Sequence, residues 1–246
     1  NAVAAAVALR YGLGGPDFSL NSASATGSQA LCLGAHFISS GLAEVMVVVC
    51  SDAELSPLLR KAMERNGSVS QSSDGSSPLS PGRSGMSPAE GAACVILESA
   101  KHAQSRGALS AVSWIGGGFS NEAYHFMAPD SDALALEGLL QAASRQIQEK
   151  NPLGNGIDWI SLHATGTPRF DSAETACIRR VFGENIPWIT PIKRSTGHAL
   201  AASGLMEGAL LAEGLKCGQV PQWPSGLDPD LGLPECRSGQ PDPPAA

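Results

Sequence analysis

The chain has 246 residues, 43% hydrophobic and only 16% charged, enough for one large core or two small ones. A net charge of −7, with no Lys/Arg cluster interleaved with aromatics, argues against a nucleic-acid partner. No apolar run approaches the roughly 18 residues of a membrane span and no charged-then-apolar leader opens the sequence, so the expectation is a cytoplasmic protein without a membrane span.

In chain order, the first informative stretch is NSASATGSQA, residues 21–30, where small polar residues run into an apolar helical pattern over Ala25 to Ser40. Ser22, Ser24 and Thr26 read as caps of that helix, or as a side chain set at the positive end of its dipole, where an anion or an attacking group is stabilised. Val45 to Cys50 and Ala92 to Leu97 are short, β-branched apolar runs, expected as strands buried on both faces. Between them residues 66–89, rich in Ser, Gly and Pro, read either as a linker or as a functional or subunit-contacting loop. Glu90 precedes the second strand and needs a structural partner if buried.

Ala111 to Ile115 and Trp159 to Leu162 read as further strands, and Ser131 to Lys150, Ser172 to Phe182 and Ala199 to Lys216 as helices. This alternation argues an α/β fold with substantial parallel pairing. His163 follows the WISL run, so its imidazole falls at a strand's carboxyl end, where ligands of open α/β sheets bind; Thr165, Gly166 and Thr167 form a tight turn beside it. Asp171 and Glu174, three apart, are candidates for pairing with Lys193 or for helix N-terminal charges. Lys193 and His198 lie at another strand-to-helix turn, with Gly197 leaving backbone room, and the lysine can either hold the histidine neutral by repulsion or orient a nearby carboxylate. His36 and His102 read as helix residues without function and His125 as a loop histidine. After Pro221 the sequence reads as coil or a frayed tail.

The cysteines at 32, 50, 94, 177, 217 and 236 make no CxxC pair and read as reduced thiols, most of them in core packing. A GxSxG elbow, a P-loop, a GxGxxG after a strand and an HExxH are all missing from the sequence.

Taken in order, four segments resemble the β-ketoacyl synthases of the thiolase-fold superfamily from Asn1 to about Pro224. GLGGPDFSLNSASATGSQAL is similar to the family stretch G-x-x-G-P-x-x-x-x-x-x-A-C-x-[ST]-G, EGAACVILES to its GEGA strand, HATGTPRFDSAE to H-G-T-G-T-x-x-x-D-x-x-E, and KRSTGHALAASG to K-x-x-x-G-H-x-x-[AG]-A-x-G. The resemblance implies a layered α/β/α/β/α thiolase-like fold, incomplete at both ends: the family's first strands and helices would precede Asn1, and its F-G-F-G-G segment is absent. It implies residues 1–108 as the end of an N-terminal half carrying the nucleophile position, 109–224 as a C-terminal half carrying both histidines, and 225–246 as a Pro/Gly-rich tail.

The same resemblance places Ser24 where the family keeps its nucleophilic cysteine, His163 and His198 as the paired histidines, and Lys193 as their supporting lysine. Glu90, Thr165, Thr167, Asp171, Glu174 and Gly197 fall at supporting positions. In the family the cysteine takes an acyl chain from acyl carrier protein, and malonyl carrier protein loses carbon dioxide to give the carbanion that attacks it. The histidines stabilise the enolate oxygen, and neither a metal nor a cofactor is used beyond the phosphopantetheine of the carrier. A hydroxyl at position 24 stays protonated where a thiol would ionise, and Cys32, two turns inside the helix, does not replace it. Two readings follow. One is an acyl-processing enzyme of fatty-acid or polyketide synthesis; the other is a non-condensing partner like the chain-length factors. Both imply acyl carrier protein as a partner and a dimer, with itself or with a cysteine-bearing synthase.

Overall fold

The computed structural model describes residues 2–234 apart from 54, 71–76, 109–111, 126–127, 151, 153–155, 221 and 223. In chain order the elements are α1 (Ala2–Tyr11), α2 (Thr26–Ser39), β1 (Val45–Asp52), α3 (Pro57–Arg65), β2 (Gly91–Glu98), α4 (Ala100–Ser105), α5 (Leu134–Lys150), β3 (Trp159–Ser161), α6 (Pro168–Phe182), β4 (Trp188–Thr190), α7 (Lys193–Thr196) and α8 (Ser203–Cys217). Single 3-10 turns lie at Leu200–Ala202 and Pro229–Leu231. Two compact units interleave along the sequence: Asn1–Asp52, Gly91–Trp114 and Leu200–Ala212 form one, and Ala53–Glu90, Ile115–Ala199 and Glu213–Ala246 the other.

In the first unit β1 and β2 pair antiparallel, with Val48 opposite Val95 and Cys50 opposite Ala93. Helix α2 packs on this ribbon through Gly34, where a Cβ would stand 3.0 Å from Val48 Cγ2 and 3.2 Å from Leu97 Cδ1. The strands therefore alternate instead of burying both faces: Val48 and Cys50 are covered while Val49 is 38% and Ile96 66% exposed. The two-sided burial expected of these strands is overturned, because a ribbon packed on by one helix needs only one apolar face; the pair is also antiparallel, and the parallel pairing expected of the fold is found between β3 and β4.

The second unit is built around the β3–α6–β4 crossover. Strands β3 and β4 run parallel in the register Trp159–Trp188, Ile160–Ile189 and Ser161–Thr190, and the Trp159 indole donates to Thr190 Oγ1 at 2.6 Å. Leu162, Ile178, Ile189 and Leu231 fill the core beneath, together with Leu79 from the Ser/Gly/Pro-rich segment. Residues 71–76 of that segment lie outside the described residues, but from Ser77 onward it is no linker, since Leu79 is fully buried. Beyond Pro221 the described residues are coil apart from the 3-10 turn, as one of the two expectations had it, but Leu231 is buried, so the chain is not frayed there; residues 235–246 lie outside the described residues.

Other differences have local causes. The strand expected over Ala111 to Ile115 is absent from residues 112–115, where Val112, Trp114 and Ile115 are exposed; Ala111 lies outside the described residues. β-Propensity is realised only where a neighbouring strand and a covering layer receive it. Helix α6 begins four residues earlier than the pattern indicates, because Pro168 fits the first helical position without needing an N–H. Strand β4 is the one expected ahead of Lys193, whereas helices α1, α3, α4 and α7 go beyond the expected elements, although α3 carries a legible start in Ser56, whose hydroxyl accepts from Leu59 N, followed by Pro57. Of the described cysteines only Cys50 and Cys177 are buried; Cys94 and Cys217 are exposed, so core packing accounts for fewer of them than expected. Among the described residues no helix is long and apolar enough to cross a membrane.

Candidate active site

The turn after β3 is shaped by two carboxylates from α6. Glu174 Oε1 accepts the His163 N–H at 2.7 Å and Oε2 the Ala164 N–H at 2.8 Å. Asp171, fully buried, accepts the Gly166 N–H at 3.1 Å on Oδ1 and the Leu79 N–H at 2.9 Å on Oδ2. These bonds hold Ala164 at φ 32° and Gly166 at φ 84°, a bend that backbone sterics alone disfavour at the alanine. Thr165, buried, accepts the Thr167 N–H on Oγ1 at 3.2 Å, and Thr167 sits at the N-cap of α6 without a side-chain capping bond. Asp171 also lies against a cation, its Oδ2 standing 3.6 Å from Arg83 Nε.

His198 reaches the same unit by a different device. Its N–H donates to Ser87 O at 2.8 Å, and its carbonyl accepts from Ala89 N at 3.0 Å. Gly197, at φ 71°, makes this approach possible: a Cβ there would meet Ala89 Cβ at 2.8 Å and Ser87 O at 3.0 Å. The imidazoles of His163 and His198 stand with ring centroids 5.5 Å apart and planes at 87°, and Phe170 meets His163 edge-on at 6.3 Å. Lys193, at the start of α7, is buried.

Burial, then the Lys193 charge, then His198 push the His163 pKa down to about 3. His198 is held at about 4 by burial and by Lys193. Burial raises Glu174 to about 7 against the two N–H donors that favour its charge. Two neutral imidazoles and a buried ammonium thus converge in a water-poor setting, which suits an oxygen gaining negative charge. Among the described residues no three His, Cys, Asp or Glu side chains converge as a metal ion would need.

The structure brings His163, His198, Lys193, Thr165, Thr167, Asp171, Glu174 and Gly197 into one unit. Glu90 belongs to the same unit but is exposed, and its Oε1 accepts the Leu55 N–H at 3.1 Å. Ser24 belongs to the other unit, partly buried just before α2. The N-cap position of α2 is Ala25, which has no side chain to cap with, so none of Ser22, Ser24 and Thr26 occupies that position. Thr26 Oγ1 instead accepts from Ser22 N at 2.8 Å and donates to Ala23 O at 2.7 Å, closing the bend that holds Ala23 at φ 48°. Cys32 lies within α2. Of the remaining histidines, His102 binds Glu98 and His125 Nδ1 accepts from Ala128 N. Arg83 was missed by the motifs; the signal available was one arginine in a segment otherwise poor in charge.

The family models for "Beta-ketoacyl synthase, N-terminal domain" and "Beta-ketoacyl synthase, C-terminal domain" match residues 1–103 and 113–225. A 3-oxoacyl-[acyl-carrier-protein] synthase 2 of Coxiella burnetii is 29% identical over 241 residues, covering 94% of this chain and 57% of that protein. A type II PKS ketosynthase solved in complex with its acyl-carrier protein and bound to the hexaketide superimposes with a TM-score of 0.87 at 30% identity, over 95% of this chain and 59% of that one. The ishigamide ketosynthase/chain length factor gives 0.78 at 26% identity, over 89% and 53%. The chain belongs to the β-ketoacyl synthase family, with its thiolase-like fold, and spans somewhat over half the length of these relatives.

Proposed function

We propose that this chain is part of a β-ketoacyl-acyl-carrier-protein synthase-like protein of fatty-acid or polyketide synthesis that decarboxylates malonyl thioesters and condenses the product with an acyl chain. The observation that carries this reading is the pair of neutral, perpendicular imidazoles 5.5 Å apart beside buried Lys193. Each imidazole offers one N–H, and the two together bind the thioester oxygen as the carboxylate leaves as carbon dioxide and its bonding electrons pass into the enolate. Burial, and after it the Lys193 charge, keeps both rings neutral, and the lysine adds positive potential. The enolate carbon then attacks an acyl thioester, whose thiolate departs as the new carbon–carbon bond forms. Ser24 takes the acyl-carrying position on motif resemblance; as a hydroxyl it needs a base within hydrogen-bond reach.

The division of the chain at residues 108 and 224 into two halves and a tail, the absence of a metal or cofactor in the reaction, and action in the cytoplasm belong to this reading. Among the described cysteines none forms a disulfide, which is consistent with a reducing compartment. Partners are acyl carrier protein and a second synthase-type chain, as in the complexes of the similar structures. A serine at position 24 favours a second reading, a chain-length-factor-like partner that leaves condensation to a cysteine-bearing sister.

The deciding experiment follows carbon dioxide and β-ketoacyl product from malonyl and acyl carrier proteins, using the full-length protein alone and with a synthase partner. Carbon dioxide with product supports the synthase. Neither alone, but altered product length with the partner, supports the chain-length reading. His198→Ala should cut carbon dioxide release roughly 100-fold or more, and undiminished release would sink its enolate role.

A further inference from the structure

One segment touches both histidine-bearing loops. Within residues 77–90, Gly85 N donates to Gly166 O at 3.1 Å, in the turn that carries His163, while Ser87 O and Ala89 N bracket the His198 backbone at 2.8 and 3.0 Å. Leu79 enters the core at φ 63° with its N–H on Asp171 and its carbonyl accepting from Asp228 N at 2.7 Å. Arg83 ties these contacts together. Its side chain is only 7% exposed and pairs with Asp171 through Nε at 3.6 Å and with Asp228 through Nη1, while Nη1 also donates to Ser80 O at 3.0 Å. Nη2 lies 3.4 Å from Ser172 Oγ. The segment's start is held separately, by Arg194 Nε on Ser77 Oγ at 2.8 Å.

We propose that residues 77–90 form a brace that sets the spacing of His163 and His198, and that Arg83 is the positioning residue that locks it. A guanidinium is suited to this because its planar fork reaches two carboxylates and two further oxygens at once, which an ammonium cannot do in one geometry. The brace acts through backbone contacts, so it needs no substrate contact of its own. Its effect on rate rests on the function proposed above; its effect on the two rings does not.

The test uses the full protein labelled at histidine, with imidazole titrations followed by NMR in the native chain, Arg83→Gln and the surface control Arg106→Gln. With the brace released, water reaches the rings, and in Arg83→Gln at least one of His163 and His198 titrates about one unit or more closer to 6.5, while Arg106→Gln matches the native protein. In the same variant kcat for carbon dioxide release falls roughly 10- to 100-fold with KM within about twofold. A folded Arg83→Gln whose two rings titrate as in the native chain overturns the proposal. If that variant does not fold, Asp228→Asn decides, since it removes one carboxylate and leaves the Asp171 pair: a smaller shift of the same sign supports the brace, and unchanged titrations refute it. A native protein that releases no carbon dioxide would end the synthase reading and leave the titration result standing.

Discussion

Burial and the Lys193 charge both disfavour protonation of His163 and His198, so neither ring titrates near the usual 6.5. The rate of carbon dioxide release should therefore stay flat through pH 6.5 and fall on the acid side only toward about 4; an acid limb centred at 6.5 in a pH–rate profile would refute neutral donors. Glu174 has the opposite sign. Its folded pKa of about 7 stands above the ordinary 4.5, so the folded chain binds more protons than the unfolded one between those values. That stabilisation is complete below 4.5 and is lost as pH rises through 7. Glu174→Gln, which cannot titrate, should thus gain stability relative to the native chain between pH 5 and 8, read as a rising difference in urea midpoints; a constant difference counts against a shifted Glu174. The histidines, the lysine and both acids were legible as residue types at strand and helix ends. What each acid binds was not, because Asp171 meets Leu79 across 92 positions of sequence, and no local pattern encodes such a partner.

Elements were readable to the extent that their signals are local. Strands β1, β2 and β3 and helices α2, α5, α6 and α8 follow from apolar runs and period, but whether a strand pairs parallel or antiparallel depends on a neighbour the run does not specify. The same distinction separates two glycines with nearly equal φ, Gly67 at 73° after α3 and Gly197 at 71° after α7. Around Gly67 a Cβ meets nothing within 4 Å, so Gly67→Ala pays only for the left-handed backbone, about 1 kcal/mol. At Gly197 the same methyl would press on Ala89 and on the carbonyl that holds His198, adding overpacking of about 1–3 kcal/mol. Chemical unfolding of the two variants should show Gly197→Ala the more destabilised, and equal losses would refute a close approach of residues 87–89 to His198. In the first unit, Ser24→Cys tests the helix start instead: condensation should rise by roughly 100-fold or more, the factor withheld from a hydroxyl that lacks a positioned base. No gain in a folded variant would argue against position 24 as the acyl carrier.

At the scale of the whole molecule, composition gives Ser, Gly and Pro the same weight in a linker as in a loop that packs, and only tertiary structure separates the two. Leu79 is the residue that distinguishes them here. If residues 77–90 merely connected elements, Leu79→Ala would change stability by no more than about 0.5 kcal/mol, as for most exposed positions. Its side chain is instead fully buried in one cluster with Leu162, Ile178, Ile189 and Trp188, so truncation removes transfer energy and leaves a cavity, at a cost of about 2–5 kcal/mol. The backbone adds a second consequence. Leu79 sits at φ 63°, a conformation that glycine adopts without strain, so Leu79→Gly relieves strain while losing the same packing and should be no less stable than Leu79→Ala by the margin usual for alanine over glycine. Urea unfolding followed by the fluorescence of Trp188 and Trp159, which line that core, reads both variants. A loss below about 1 kcal/mol for Leu79→Ala would place the segment outside the core; a large loss, with glycine equal to or better than alanine, would establish that this Ser/Gly/Pro-rich stretch is folded as an integral part of the histidine-bearing unit.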